Sequence, residues 1–529
     1  MPPVARPHTL FSFLALASLA FAQSRSLPLD LDARVDAAMQ AFEVPGLCVA
    51  IVRDGKIALA KGYGVRHLGS QTPVDAHTRF GIASNTKVFT ALALGLLVEA
   101  GRLEWDAPVQ RYLPAFQLAD PYVSRELTVR DLLVHRSGLG LGAGDLLWWP
   151  GSTYDRKEIV RRLRHVPLAT SFRSTYAYDN VLYLVAGELI EAVSGSTWER
   201  FVAERILAPV GMEHSSVRHS DAVPSNGTEA NVSGTHAEVD GRVVAVPPMT
   251  SDNTNPAGGI MSCAEDMAKW LGVLLARGQL ADGSRLFSAK TYRELTTLVT
   301  PIPIGDPDPL LGELRPNFNG YALGLAVRDY RGRKVLTHTG GLPGFVSRVL
   351  LVPEAGVGIA VLTNQESMRA IDAIVYQFVD HVLGADDRDW LALQQTADAR
   401  ARAKLAAVDE KARATRAAGG PPSLPLARYA GTFHDAWCGD LMIEATGDGL
   451  SIRFAHCPQL SGKLEPWQHD TFVARWHDRS LRADAFVTFA LTPDANIDRV
   501  RMLPASPSVD FSFDYQHLDL RPSGKPVGK

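Results

Sequence analysis

Two polar residues, Ser84 and Lys87, open a long apolar run and form the segment best suited to chemistry. Residues three apart on a helix share one face, so the hydroxyl and the amine would lie side by side. The run from 88 to 100 is apolar almost all round, which predicts a helix buried in the protein. Burial lowers the pKa of a lysine, and the neutral amine could then accept the serine proton. Chance yields Ser-x-x-Lys about once or twice in a chain of this length, so the position at the head of a core helix carries the argument.

A second polar group, Tyr178 and Asn180, stands directly before the helical run from 181 to 193. One interpretation is structural, with Asn180 as the N-cap and Tyr178 as a packed aromatic. The other is catalytic, with the tyrosine hydroxyl shuttling a proton and the amide contacting the substrate. The sequence leaves both open.

A third group, His338, Thr339, Gly340 and Gly341, follows a short predicted strand. Glycines at that point let a substrate backbone approach the strand closely. The amide of Gly341 could complete an oxyanion hole with the amide of Ser84. The alternative to a role in the site is that these glycines only form the loop that follows the strand.

The elements that must position these groups form an α/β (α+β) pattern. The segment from 46 to 66 reads as a β-hairpin, and strands return between 324 and 363, followed by an amphipathic run from 370 to 383. Helical segments lie between the two sets of strands. This order predicts one antiparallel sheet flanked by helices, within a domain from 28 to 385.

The rest of the chain divides into a helical linker from 386 to 425 and an all-β domain from 426 to 522, of a size that fits a small barrel. A hairpin folded about Gly447 places an apolar side chain at each position of one face. The same register sets Cys438 opposite Cys457. In an oxidising compartment these two residues could form a cross-strand disulfide, and the alternative is that both thiols stay reduced.

Composition narrows the class of protein. The 529 residues carry 54 basic and 57 acidic side chains, a net charge of −3, which offers no basic surplus for nucleic acid. Residues 1–22 combine an apolar run of about a dozen residues with a small-x-small cleavage pattern, which predicts a signal peptide and a secreted or periplasmic protein. No later apolar stretch is long enough to predict an integral membrane segment.

The three groups, in this order and spacing, resemble the class C β-lactamase and penicillin-binding-protein superfamily of serine hydrolases. Residues 127–139 are similar to its LTxRxLLxHxSGL block, in which we interpret His135 as structural, and residues 256–262 to its AGGxxS block. The resemblance covers roughly residues 30–385. Residues 429–433, Tyr-Ala-Gly-Thr-Phe, resemble the lipocalin-like barrel appended to some members.

The resemblance implies a mechanism. Ser84 is the nucleophile that forms an acyl-enzyme. Lys87 and Tyr178 share the roles of general base and general acid, and the resemblance does not indicate which of them is the base. Asn180 contacts the substrate amide, and His338 lines the site. Neither a cofactor nor a metal is required, and the sequence has no His-Glu-x-x-His motif.

One departure from the family pattern concerns the substrate. His338 stands where many β-lactamases have a lysine, and a histidine of ordinary pKa near 6.5 is mostly neutral at pH 7. The resulting His-Thr-Gly motif is similar to that of the family's D-amino-acid peptidases and of some of its esterases. Arg348 could supply the missing charge or face solvent, and Trp148 could rim the pocket or simply pack.

Three functions remain open at this level. The first is a secreted hydrolase that cleaves a peptide-like amide, of the D-amino-acid peptidase or carboxypeptidase type, or an ester. The second is a true β-lactamase. The third is a non-catalytic, penicillin-binding sensor, which would have no need to bury an amine beside a serine. Each takes a small molecule or peptide as its partner, and the β domain could also mediate oligomerisation.

Overall fold

The structure is a computed structural model that describes residues 27–222, 230–385, 388–417, 419–447 and 449–524. The predicted signal peptide lies outside the described residues. The α-helices, in chain order, are α1 Leu31–Ala41, α2 Lys87–Glu99, α3 Pro121–Glu126, α4 Arg156–Arg162, α5 Val181–Ser194, α6 Trp198–Val202, α7 Ala208–Val210, α8 Asn255–Gly258, α9 Ala264–Leu275, α10 Ala289–Thr296, α11 Met368–Leu383 and α12 Trp390–Ala417. Within the described ranges, no helix is both long and apolar enough to cross a bilayer.

An eight-stranded antiparallel sheet forms the centre of the first part of the chain. Its strands are β1 Gly46–Arg53, β2 Lys56–Gly64, β7 Thr300–Pro301, β8 Asn319–Tyr321, β9 Ala326–Tyr330, β10 Arg333–Leu342, β11 Phe345–Val352 and β12 Val357–Thr363. Two short pairs stand apart: β3 Phe80–Gly81 with β6 Met261–Ser262, and β4 His236–Val239 with β5 Arg242–Ala245. The order across the large sheet is β2-β1-β12-β11-β10-β9-β8-β7, so the first and last strands of the domain are neighbours. The predicted fold class is confirmed.

Strands β1 and β12 are apolar along most of their length, since helices cover both faces of the sheet there. On β1, Cys48 and Ala50 belong to the core that contains Trp270 of α9, while Val49 belongs to the core that contains Ile374 of α11. Side chains along a strand alternate between faces, so a strand covered on both sides shows no polar alternation. The three candidate groups lie on the α9 side of the sheet, around α2.

The second part of the chain is a nearly closed antiparallel barrel that follows the long helix α12. Its strands are β13 Gly431–Asp435, β14 Gly439–Thr446, β15 Gly449–Phe454, β16 Ser461–Gln468, β17 Thr471–Trp476, β18 Ala485–Leu491, β19 Ile497–Pro504 and β20 Arg521–Pro522. They follow the order β19-β18-β17-β16-β15-β14-β13-β20. A bridge between Val500 and Leu520 brings the first and last strands of this order together.

The cysteines of the barrel correct one expectation. The hairpin has the predicted register, with Leu441 opposite Phe454, yet Cys438 and Cys457 are both free and buried in the structure. The ladder ends at the Leu441–Phe454 pair, and beyond it the chain turns so that the Cys457 thiol lies 3.4 Å from the carbonyl oxygen of Leu146. The strand pairing that would have brought the two sulfurs together therefore stops short of them.

Candidate active site

Ser84 lies in a short 3-10 helix, Ala83–Thr86, that runs directly into α2. The preceding residue, Ala83, has a φ of 49°, in the left-handed region that non-glycine residues seldom adopt. Strained backbone of this kind clusters at functional sites, where the surrounding packing holds a side chain in one direction. Here the turn presents Ser84 to a cavity.

Strand β10 passes close to this turn because it carries a glycine at the crossing point. A Cβ atom on Gly340 would lie 2.3 Å from the carbonyl oxygen of Ile82 and 2.5 Å from Oγ of Ser347. The Ser347 hydroxyl donates to the Ile82 carbonyl at 2.7 Å and accepts from Nδ2 of Asn85 at 2.8 Å. The sheet is thereby fixed against the turn that holds Ser84.

The amine of Lys87 has three polar neighbours, and they suit its neutral form. Its Nζ atom lies at hydrogen-bond distance from Oγ of Ser84 (3.0 Å), Oδ1 of Asn180 (2.7 Å) and the carbonyl oxygen of Ala257 (3.0 Å). The amide and carbonyl oxygens can only accept, so two N–H groups point at them. A neutral amine has two hydrogens and one lone pair, and the lone pair is left for Ser84.

The electrostatics distinguish Lys87 from Tyr178. Burial lowers the pKa of the Lys87 ammonium to about 7, although the carboxylates of Asp145 and Asp179 act in the opposite direction. Burial raises the pKa of the Tyr178 phenol well above its ordinary value, and its hydroxyl donates to Oγ of Ser84 at 2.8 Å. Near neutral pH a large share of Lys87 can accept a proton while Tyr178 keeps its own.

An aromatic cluster holds the ring of Tyr178. The ring centroids of His135 and Tyr178 are 4.3 Å apart, and those of His135 and Tyr321 are 4.4 Å apart. His135 is buried, and Nδ1 of its imidazole accepts the backbone N–H of Asp179 at 3.2 Å. Burial lowers the pKa of His135, so it packs as a neutral ring beneath the tyrosine.

Asn180 precedes α5 but makes no side-chain capping bond. The first turn of α5 is capped instead by Asp179, whose Oδ1 accepts the N–H of Leu182 at 3.3 Å. The Nδ2 of Asn180 donates to Oδ2 of Asp145 at 2.8 Å, which turns Oδ1 toward Lys87. Asp145 also accepts from the indole N–H of Trp148 and the hydroxyl of Ser512, so it acts as an acceptor here and sets the orientation of the amide.

His338 is held as a neutral ring. Its Nδ1 lies 2.6 Å from the carbonyl oxygen of Thr339, and its Nε2 lies 2.7 Å from the hydroxyl of Tyr321. The carbonyl can only accept, so Nδ1 carries the proton and Nε2 accepts from Tyr321. Burial, with the nearby Lys87 amine, lowers the pKa of His338 to about 3. The site therefore lacks a positive charge at the position where many β-lactamases have lysine.

The remaining residues of the third motif face the cavity. Thr339 and Gly341 line it, and Gly341 is exposed, with no atom within 4 Å of the place its Cβ would take. Its backbone therefore borders open space near Ser84. The oxyanion role of the Ser84 and Gly341 amides stays a prediction.

Arg348 and Trp148 also line the cavity. The Arg348 guanidinium is ion-paired with Asp372 and lies 3.4 Å from the hydroxyl of Tyr376, so α11 already offsets its charge. Its side chain is only 14% exposed, so it does not face solvent as the alternative expected. Trp148 is buried, and its indole N–H donates to Oδ1 of Asp145 at 2.8 Å. The tryptophan both packs and forms the wall of the pocket.

The cavity has a volume of about 830 Å³ and lies between the two domains. Its floor belongs to the first domain, and loops of the barrel form the opposite wall. The barrel residues in that wall are Gln459, Asp478, Ser480, Leu481, Arg482, Asp510, Phe511, Ser512 and Phe513. The sequence left open whether the β domain covers the site, and the structure brings these barrel loops to it.

Three residues of the site escaped the sequence analysis: Asp145, Tyr321 and Ser512. Asp145 directly follows a glycine-rich run from 138 to 144, and such a run beside the candidate pocket residue Trp148 is a signal that could have indicated it. Tyr321 and Ser512 follow no motif, and each reaches the site only through the packing of distant segments.

One group in the described part of the chain has the composition of a metal site. His77, His214 and Glu265 bring their ligand atoms within 4.8 Å of one another, outside the residues that line the cavity. The rings of the two histidines stack at 4.2 Å, and Glu265 is ion-paired with Lys269 at 3.0 Å. The contacts within the protein account for this arrangement.

Two family models match the chain. The model described as Beta-lactamase matches residues 31–381, and the model described as a domain of unknown function (DUF3471) matches residues 415–522. A curated relative, the unguisins hydrolase ungD of Aspergillus violaceofuscus, is 30% identical over 456 residues, which make up 80% of this chain and 78% of the relative.

Two solved structures with the same fold match different shares of this chain. The octameric penicillin-binding protein homologue from Pyrococcus abyssi is 21% identical, with a TM-score of 0.59, and the match covers 93% of this chain and 99% of that one. The D-stereospecific amidohydrolase from Streptomyces sp. is 25% identical, with a TM-score of 0.50, and the match covers 65% and 98%. The first likeness therefore includes the barrel.

Proposed function

This chain belongs to the beta-lactamase family of serine hydrolases, and from that premise we propose that it cleaves a peptide-like amide through an acyl-enzyme on Ser84. The observation that carries the proposal is the arrangement of Lys87 and Tyr178 around Ser84, with both polar atoms within 3.0 Å of Oγ. Convergent titratable groups of this kind in one cavity are the mark of a catalytic site.

In the first step the neutral amine of Lys87 takes the hydroxyl proton of Ser84 as Oγ attacks the carbonyl carbon. The carbonyl π electrons move to its oxygen, and the amides of Ser84 and Gly341 are the donors we assign to this oxyanion. Lys87 becomes an ammonium that Asn180 and Asp145 help to stabilise.

In the second step the C–N bond breaks and the leaving nitrogen needs a proton. Tyr178 is suited to supply it, because its raised pKa keeps its hydroxyl protonated and because that hydroxyl already lies 2.8 Å from Oγ. The Lys87 ammonium returns its proton to the tyrosine oxygen. The acyl group stays on Ser84, and both titratable groups regain their resting states.

Water then attacks the acyl carbon and gives a proton to the Lys87 amine. The bond between carbon and Oγ breaks, Oγ takes a proton back, and a free carboxylic acid leaves. The amine with a pKa of about 7 is suited to act twice, because it can hold and release a proton near neutral pH.

The neutral state of His338 favours amide or ester substrates over β-lactams, whose carboxylate would gain from a fixed positive charge. The names of two relatives agree with amide chemistry: one is an unguisins hydrolase and one a D-stereospecific amidohydrolase. The predicted signal peptide supports action outside the cytoplasm, and oligomerisation through the barrel stays open.

Intact mass spectrometry tests the proposal. The protein is mixed with a fluorescent penicillin and, separately, with a p-nitrophenyl ester, and any adduct is mapped by proteolysis. We expect a mass increase on Ser84 with either reagent and none in Ser84→Ala. Rapid turnover of the penicillin without accumulation would instead favour a β-lactamase, and no adduct with either reagent would contradict the acyl-enzyme.

A further inference from the structure

One loop of the barrel makes direct contact with the catalytic domain beside Asp145. The loop, residues 505–514, follows β19, and its Ser512 hydroxyl donates to Oδ2 of Asp145 at 2.9 Å. A Cβ atom on Gly142 would lie 2.5 Å from the carbonyl oxygen of Phe511, so the glycine permits this close approach. Ser512 is buried at the contact.

The same loop also holds the backbone on either side of Asp145. The carboxylate of Asp514 accepts the N–H of Gly144 at 2.7 Å and the N–H of Leu146 at 3.3 Å. Asp514 is fully buried, so both bonds form away from water. The barrel therefore fixes both the side chain and the main chain of Asp145.

We propose that Ser512 is a positioning residue for the chemistry at Ser84, acting through Asp145 and Asn180 on Lys87. The connection is a continuous series of hydrogen bonds. Ser512 donates to Asp145 at 2.9 Å, Asn180 donates to the same carboxylate at 2.8 Å, and Lys87 donates to Asn180 at 2.7 Å. The inference rests on the proposed function in one respect, namely that Lys87 is the base.

The charge on Asp145 explains why a donor from the barrel matters. Burial raises the pKa of the Asp145 carboxyl, and hydrogen bonds from Trp148, Asn180 and Ser512 oppose this shift. Without the Ser512 hydroxyl, the carboxyl takes up a proton more readily. A protonated oxygen can donate, so it no longer dictates the orientation of the Asn180 amide, and Lys87 loses a fixed partner.

Other charged or titratable groups surround the series, and a substitution at Ser512 leaves their side chains unaltered. Asp514, with His517 at 3.3 Å, faces Asp145 from the barrel. The groups that face Lys87 from the first domain are Tyr178, Tyr183, Asp179, His135 and His338. Asp514 has a pKa of about 6, raised by burial, so the comparison with Asp145→Asn decides whether a changed pH profile arises at Asp145.

The first test compares three full-length variants in steady-state hydrolysis of p-nitrophenyl acetate. We expect Ser512→Ala to lower kcat roughly ten- to hundred-fold with little change in KM, since misplacement of a catalytic group acts on the chemical step. The acid limb of its kcat/KM profile should move to lower pH, because a less ionised Asp145 supports the Lys87 ammonium less. Ser512→Thr keeps the hydroxyl and should restore most of the rate.

Ser508→Ala is the matched control. Ser508 lies in the same loop, is exposed, and shares a hydrogen bond with Ser506 at 2.9 Å. Its rate and pH profile should equal those of the unchanged protein. A Ser512→Ala protein with unchanged kcat and pH profile, or a Ser512→Thr protein as slow as Ser512→Ala, would overturn the inference.

A double-mutant cycle separates positioning from simple contact between the domains. If Ser512 acts through Asp145, adding Ser512→Ala to Asp145→Asn should lower kcat little beyond Asp145→Asn alone. Multiplicative losses would show that Ser512 acts by another route. Melting temperatures of all four proteins identify any variant whose loss of rate reflects loss of fold.

The two proposals fail in different ways. If Lys87→Met retains the full rate, the proposed base is wrong whatever Ser512 does. If Lys87→Met is inactive and Ser84 is acylated in the unchanged protein, while Ser512→Ala behaves like the Ser508→Ala control, only the inference about the barrel is wrong.

Discussion

The hydroxyl of Tyr321 lies 2.7 Å from Nε2 of His338, and it donates its hydrogen there because Nδ1 of the same ring faces the carbonyl oxygen of Thr339. This contact makes Nε2 of His338 an acceptor, and burial of the ring keeps it neutral. A histidine beside a serine and a lysine would otherwise be an obvious candidate for the base. Of the two described side chains in hydrogen-bond contact with Oγ of Ser84, only Lys87 has a pKa near neutrality, which supports our proposal that it is the base.

The pH dependence of activity follows from this assignment. The pKa of Lys87 is about 7, and only the unprotonated amine can accept the proton of Ser84. We therefore predict that kcat/KM falls about tenfold per pH unit well below pH 7 and levels off above it. Measurement on a chromogenic amide between pH 5 and 9 should give this acid limb, and His338→Gln should keep it. A limb that disappears in His338→Gln would contradict the assignment.

Ser84→Ala should remove the nucleophile and leave the fold intact. The hydroxyl makes its contacts with Lys87 and Tyr178, while the surrounding turn is fixed by other groups. We expect turnover to fall by at least about 10³-fold, the usual loss for a catalytic serine. The melting temperature should stay within a few degrees of the unchanged protein. A variant that is folded and still fully active would exclude Ser84 as the nucleophile.

Tyr178→Phe tests the proton donor. The variant keeps the ring that packs on His135 and loses only the hydroxyl at 2.8 Å from Ser84. A loss in kcat of about 10²- to 10⁴-fold is expected for a missing general acid. Tyr176→Phe is the comparison, because Tyr176 also packs edge-on against His135 and has no such bond to Ser84 among the described contacts. Equal losses in the two variants would argue against a special role for Tyr178.

Gly340→Ala should disturb both stability and activity. Its new Cβ would lie 2.3 Å from the carbonyl oxygen of Ile82, which is backbone and cannot rotate away. Overpacking of this kind costs about 1–3 kcal/mol of unfolding free energy, and it would push β10 away from the Ser84 turn. Gly341→Ala, next along the strand, meets no atom within 4 Å and should keep its stability. Urea denaturation of both variants checks the prediction. Equal unfolding midpoints for Gly340→Ala and Gly341→Ala would contradict it.

The cysteines provide a test that is independent of catalysis. Cys48, Cys263, Cys438 and Cys457 are all free and buried in the structure. We predict that alkylation after denaturation without a reductant labels all four, as counted by intact mass, and that dithiothreitol leaves the melting temperature unchanged. Two unlabelled cysteines and a lower melting temperature on reduction would show that the Cys438–Cys457 bond forms in solution.

Much of the catalytic group was predictable because it depends on short-range geometry. Ser84 and Lys87 are three residues apart at the start of a helix, so the repeat of the helix alone brings their side chains together. The apolar alternation that predicted the pairing of Leu441 with Phe454 is likewise a property of the strand backbone. The family motifs add the order of the three groups along the chain.

The sequence by itself therefore predicted the candidate nucleophile and its lysine neighbour, the two-part division of the chain and the class of fold. Tertiary structure alone decided that His338 is neutral, that Arg348 is paired with Asp372, and that Ser512 of the barrel donates to Asp145 across 367 residues of chain. A helix or strand repeat fixes which residues meet within a few positions. The protonation and orientation of a buried group depend on which distant segments pack against it, and no local pattern records that choice.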